Sequence, residues 1–141
     1  MADRLTPERR SWNMSRIRGR DTGPERRVRS LLHALGFRFS LGRKDLPGKP
    51  DIVLPRRHAV VFVHGCFWHR HPGCVNAFAP KTRPEFWRAK LDGNAQRDLR
   101  NAAALKDLGW RVTVVWECEL EAERKLIRKL RKALQSTDEN Q

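Results

Sequence analysis

Val60-Val61-Phe62-Val63-His64-Gly65-Cys66-Phe67-Trp68-His69-Arg70-His71-Pro72-Gly73-Cys74 passes without a break from an apolar run into three histidines, two cysteines and two adjacent aromatics. Val60–Val63 reads as a buried strand, because a short, β-branched apolar run with no helical period fits a strand packed on both faces. The residues after it do not suit a core. They are metal ligands and proton carriers displayed at a strand end, and the rest of the chain is read outward from them.

Upstream, Pro50-Asp51-Ile52-Val53-Leu54 is a second strand opening with an acid, and Pro55–His58 is a turn. So short a connection pairs the two strands antiparallel. With Leu54 facing Ala59, Asp51 faces Phe62 and neighbours Val63, beside the mouth of the His/Cys segment. A one-residue slip would turn it away. Phe37–Leu41 is expected as a further short strand, and residues 42–49 as a basic loop with a Leu-Pro-Gly turn. Downstream, Pro84 begins a long helix ended by Gly109, with Trp87, Leu91, Ala95, Ala102 and Leu105 inward. Asp98 shares that face, where an acid is unusual. Trp110–Trp116 is the next strand. The strand–helix–strand unit is long enough for a parallel crossover, which brings Cys118 to the same sheet end as Cys66. A last amphipathic helix runs from about Glu119 to Leu134.

Near the N-terminus, Thr6-Pro7-Glu8 starts a helix to about Arg18. Its few apolar residues (Trp12, Met14, Ile17) and its arginines suit an arm lying on a phosphate backbone, or else a frayed end. Thr22-Gly23-Pro24-Glu25 has capping-box form and opens a helix to Leu35. Glu25 is either its capping carboxylate or a group turned towards a site.

Cys66, Cys74 and Cys118 with one histidine make a Cys3His set, the donor composition of a closed structural Zn²⁺ site. Spacing leaves His69 and His71 both open as the fourth ligand. The alternative is unligated thiols beside histidines. Asp51, the Val63 carbonyl and the remaining histidines form a second constellation, suited to Mg²⁺ and to phosphodiester hydrolysis with an imidazole moving the proton.

The 141 residues fit one domain, here residues 1–135 with a basic arm at 1–20 and a tail at 136–141 expected to be disordered. No apolar run spans a membrane and no signal peptide opens the chain, so a cytoplasmic location is expected. In a reducing compartment three cysteines serve a metal better than a disulfide. Thirty Lys and Arg against sixteen Asp and Glu leave +14, which suits nucleic acid more than a merely solvated surface.

His64-Gly65-Cys66-Phe67-Trp68-His69-Arg70-His71, with Pro50-Asp51 before it, Arg83-x-x-Phe86-Trp87 and Asn94-x-x-Arg97-Asp98 after it, and Val115-Trp116-Glu117-Cys118, closely resembles the very short patch repair endonucleases. The resemblance runs from about Asn13 to Cys118, with the motifs in the same order. It implies an α/β, restriction-endonuclease-like (PD-(D/E)XK-type) mixed central sheet flanked by helices, with a structural zinc. It implies Mg²⁺-dependent nicking of duplex DNA 5′ of the thymine in a T:G mismatch left by deaminated 5-methylcytosine.

By this resemblance Asp51 and the Val63 carbonyl hold Mg²⁺, and His69 is the catalytic histidine. Glu25, His64 and Asp98 act through metal waters or the scissile phosphate, and Cys66, His71, Cys74 and Cys118 hold zinc. Phe67, Trp68 and Trp87 are the wedge beside the mismatch, Lys90 and Asn94 contribute to base-pair recognition, and Met14 belongs to the DNA-binding set. The spacing His71-Pro72-Gly73-Cys74 departs from a tighter family pattern. The second acid and lysine of many nuclease cores are missing after Asp51, which a histidine mechanism explains. A monomer in the nucleoid, working beside mismatch-repair proteins, completes the expectation. The rivals are a zinc-stabilised, non-catalytic DNA-binding module and a restriction-type nuclease of other specificity.

Overall fold

The computed structural model describes residues 23–75, 77, 78 and 80–135. The expected helix from Thr6, Met14, the basic arm, Thr22 of the capping box and the tail from residue 136 lie outside the described residues.

In chain order the elements are α1 (Gly23–Ala34), β1 (Ile52–Leu54), β2 (Ala59–His64), α2 (Pro84–Asp107), β3 (Arg111–Trp116) and α3 (Glu123–Gln135). The sheet order is β1-β2-β3. β1 pairs antiparallel with β2, with Leu54 opposite Ala59 and Ile52 opposite Val61. β2 pairs parallel with β3, with His64 opposite Trp116. The sheet is therefore mixed, with the apolar run at its centre. A central strand covered on both faces needs apolar side chains at every position rather than at alternate ones.

Each face carries its own core. Ala59 and Val61 point with Ile52, Leu54 and Val115 towards Val28 and Leu32 of α1 and Leu126, Leu130 and Leu134 of α3. Val60 and Phe62 point the other way, with Val53, Val112 and Val114, towards Leu105 of α2. By the same alternation His64 stands on the α2 face, and its ring lies against Phe62.

Two expectations need correction. Phe37–Leu41 forms no strand; Ser40 alone makes an antiparallel bridge to Val53, after which Gly42, at φ +75°, turns the chain away. The last helix starts at Glu123, because Glu117–Glu121 winds as a 3-10 turn. There the Glu119 carboxylate accepts the Trp116 amide at 2.8 Å and the Lys129 ammonium at 2.9 Å. The Leu-Pro-Gly turn is present, with Lys49 N donating to the Leu46 carbonyl at 3.1 Å. Gly48 there has φ +75°, and a Cβ on it would meet Asn101 at 2.9 Å. Glycine thus lets the basic loop close on α2.

Candidate functional site

The antiparallel register delivers Asp51 to the place expected from the turn. Its Oδ2 accepts the Val63 amide at 2.7 Å, so the carboxylate is fixed against the end of the central strand. Glu25, in the first turn of α1, lines the same cleft of about 1320 Å³, together with His64, His69, Lys90 and Asp98.

After His64 the chain makes one tight turn. His71 N donates to the Cys66 carbonyl at 3.0 Å and Arg70 N to the Phe67 carbonyl at 3.4 Å, with Arg70 at φ +53°. This is the Schellman pattern, closed by a left-handed residue that is usually glycine. The reversal sends His69 and His71 to different places. His69 Nδ1 lies 2.6 Å from Asp98 Oδ2 on α2, and its ring stacks on His64 at 3.8 Å, only 5° from parallel. His71 stacks instead on Trp116 at 4.2 Å, with Nδ1 3.4 Å from Cys118 Sγ. The choice that spacing left open thus falls to His71 as companion of the thiols.

The donor atoms of Cys66, His71, Cys74 and Cys118 all lie within 4.8 Å of one another. Ligands of a tetrahedral zinc, at Zn–S of about 2.3 Å, stand roughly 3.8 Å apart. The composition, one imidazole and three thiols, also fits zinc. Burial pushes the Cys118 thiol up to about 12, and the neighbouring Cys66 and Cys74 push it the same way. Burial likewise raises Cys66. Crowded thiolates repel one another, and a divalent cation among them removes that penalty.

His64, His69 and Asp98 make a second close group of donors. His64 is buried, and its Nδ1 has no hydrogen-bond partner among the described residues. Burial pushes its pKa down to about 4; the neighbouring His69 adds to the fall and Asp98 opposes it. His64 is therefore neutral at physiological pH. His69, oriented by a carboxylate on Nδ1, leaves Nε2 as the ring nitrogen available to take a proton.

Beside these groups lies a cluster of rings. Phe67 and Trp68 both contact Trp87, at 5.7 and 5.8 Å between centroids. Phe86 packs on Trp87 and Phe78 on Phe67; both outer rings are exposed. Asn94 donates from Nδ2 to the Trp68 carbonyl at 3.1 Å, tying α2 to the turn, and Lys90 is exposed one helical turn earlier. Three participants escape a sequence reading. Phe78 sits in an unpatterned loop. Asp92 pairs with Arg70 at 3.3 Å, across a turn whose hand no motif signals. Trp116 stands between the two clusters, stacked on His71 and edge-on to His64 at 5.3 Å; its place opposite His64 follows from the parallel register.

The fold is α/β with a mixed sheet, and its cleft gathers a carboxylate at a strand end and a carboxylate-oriented histidine. The family model for the DNA mismatch endonuclease Vsr matches residues 2–75. Type II nicking enzyme V.XorIIP of Xanthomonas oryzae pv. oryzae is 58% identical over 120 residues, covering 85% of this chain and 88% of that protein. DNA mismatch endonuclease Vsr of Escherichia coli K12 is 46% identical over 126 residues, covering 89% and 80%. The catalytic domain of the homing endonuclease I-Bth0305I superposes with a TM-score of 0.57 at 20% identity, over 83% of this chain and 98% of that one, a likeness of fold. The chain belongs to the DNA mismatch endonuclease Vsr family. It is accordingly a DNA endonuclease of mismatch repair. No helix among the described residues is long and apolar enough to cross a membrane.

Proposed function

We propose that this protein nicks one strand of duplex DNA on the 5′ side of the thymine in a T:G mismatch, using Mg²⁺ at a variant of the PD-(D/E)XK centre. The observation that carries the reading is the convergence of Asp51, fixed on Val63, with the His69–Asp98 pair stacked on His64. A DNA-binding module without chemistry has no use for that arrangement. The names of the relatives, a mismatch endonuclease and several nicking enzymes, support a single-strand cut.

Asp51 and the Val63 carbonyl would hold Mg²⁺, which when bound would neutralise charge building on the scissile phosphate. His69 Nε2 takes the proton from the attacking water as its oxygen bonds to phosphorus and the bond to the leaving oxygen breaks, and that oxygen takes up a proton from solvent to leave as a hydroxyl. Asp98 keeps Nδ1 as the donor nitrogen and stabilises the imidazolium that results. His64, neutral and stacked on His69, holds the ring in plane without adding charge. Glu25 faces the phosphate from across the cleft. Cys66, His71, Cys74 and Cys118 would hold Zn²⁺, which would fix the turn that carries His69 and so serve catalysis through position. Phe67, Trp68 and Trp87 wedge the mismatched step, with Lys90 and Asn94 beside it.

The protein works as a monomer in the cytoplasm, on the nucleoid, beside mismatch-repair proteins. Incubation with Mg²⁺ and duplexes carrying one T:G pair in varied contexts tests the reading. One nick, 5′ of the mismatched thymine and absent from the T:A control, is expected. Cleavage of both strands, or of both duplexes equally, overturns it.

A further inference from the structure

The last helix carries a charge pattern that the cleft does not use. α3 has the basic residues Arg124, Lys125, Arg128, Lys129, Arg131 and Lys132 against the single acid Glu123. At about 100° per residue all six fall within one arc of roughly 160°, opposite the stripe of Leu126, Leu130 and Leu134. Lys129 is engaged, its ammonium on the Val114 carbonyl at 2.6 Å and on Glu119. The other five are exposed. Among the described residues, none of the five makes an ion pair or a side-chain hydrogen bond.

This arrangement works against the helix. Arg124 and Arg128, Lys125 and Lys129, and Arg128 and Lys132 are like charges four residues apart, which face each other and repel. The helix is held in spite of them by its buried leucines and by two arginines at its C-terminal end. Arg57 donates to the Leu134 carbonyl at 2.9 Å, and Arg111 donates to the carbonyls of Ala133 and Leu134. These contacts favour the helix dipole but add further positive charge. Apart from Lys129, the arc offers folding no such contact among the described residues.

The arc also lies apart from the cleft, whose described lining includes no residue of α3. α3 packs on the sheet face presented by Val61 and Val115, whereas His64, His69 and Asp98 lie on the α2 face. The chemistry of the arc also selects the partner. It exposes no large apolar or aromatic side chain, and protein interfaces are centred on such groups. Phosphate contacts need only Lys and Arg, and duplex DNA presents a charge about every 1.7 Å along its axis. From Arg124 to Lys132 the arc runs roughly 12 Å.

We propose that the exposed face of α3 is a second, sequence-independent contact surface for the phosphates of duplex DNA, holding one duplex segment while the cleft holds another. It rests on the reading that the cleft accepts duplex DNA. Two sites on opposite faces would let the protein pass between segments without full release.

The test uses the full chain, without Mg²⁺, and two fully paired 16-bp duplexes, one immobilised and one fluorescent. The wild-type protein bound to the first should capture the second as one chain per complex by light scattering. The R124Q/R128Q/R131Q/K132Q variant, which relieves repulsion and so keeps its helix by circular dichroism, should bind the immobilised duplex. Given Mg²⁺ and T:G duplex, it should nick at the wild-type kcat. Its capture of the second duplex should fall at least ~10-fold, and the log–log salt slope of capture should shrink by roughly 0.9 for each phosphate no longer neutralised. Wild-type protein that binds the first duplex but captures no second, capture that needs two chains, or capture undiminished in the variant would each overturn the proposal. Failure of the wild-type protein to bind the first duplex would overturn the reading of the cleft and the proposal together, whereas binding without capture overturns the proposal alone.

Discussion

The His69 Nδ1 and Asp98 Oδ2 atoms lie 2.6 Å apart, although 29 residues separate them and they come from a strand-end turn and the middle of a helix. Asp98 reaches His69 because α2 returns over the same sheet face on which β2 ends. The pair fixes which nitrogen of His69 faces the cleft.

Asp98→Asn should therefore damage the reaction more than binding. The amide can still reach Nδ1 but can favour the wrong tautomer and cannot stabilise an imidazolium, so single-turnover nicking should fall by at least ~10²-fold. The Kd for T:G duplex should change by less than about threefold, since the carboxylate serves the proton acceptor rather than the DNA. Wild-type nicking rates in the variant would remove Asp98 from the mechanism.

Asp51→Ala should abolish nicking while leaving duplex binding near normal. The carboxylate is held by the Val63 amide, so its loss removes the proposed cation ligand at the strand end without opening the core. The rate should drop by at least ~10²-fold and should not recover with excess Mg²⁺. Titrating Mg²⁺ against nicking in both proteins checks this, and an active variant with an ordinary Mg²⁺ dependence would defeat the assignment.

Cys118→Ser should lose zinc. The thiol closes a group whose other members all come from the turn at 66–74, so within that group it is the member that ties the turn to the end of β3. The wild-type protein should carry about one zinc per chain, and the variant much less than one. Tm should fall by at least ~5 °C, and nicking should fall with it as His69 loses its position. Elemental analysis and thermal melts measure both; zinc-free, fully stable, active wild-type protein would end this reading.

Much of this site was legible because its parts are fixed by short-range constraints. A four-residue connection sets Leu54 against Ala59, and Asp51 then has one place to go. An apolar strand, a long helix and a second apolar strand imply a parallel pair, and Cys118 follows from it. The division between His69 and His71 was not legible from spacing, because it depends on Arg70 taking a left-handed conformation that a non-glycine residue does not advertise. The expected strand at Phe37–Leu41 misled for a related reason. Its alternation of Phe37, Phe39 and Leu41 suits a strand, but one bridge at Ser40 is all the partner edge offers, and Leu41 ends up exposed. Local pattern reports what a segment could pair with, not how much edge is present.

Trp68 carries the last prediction. Its ring touches Phe67 and Trp87 and its carbonyl accepts from Asn94, so the side chain is braced on one side without being buried. A braced, partly buried ring lining the cleft is suited to enter a base step. Opening a step costs a few kcal/mol, less where pairing is already poor, and stacking returns ~1–3 kcal/mol per base. Trp68→Ala should therefore weaken binding to T:G duplex by about tenfold and binding to the paired duplex by less. Zinc content should stay at the wild-type level. Asn94→Ala, which releases the carbonyl but keeps the ring, should give a smaller loss in the same direction. Fluorescence anisotropy on the two duplexes makes the comparison; equal losses on both, or a loss of zinc, would place Trp68 in the scaffold of the turn rather than in recognition.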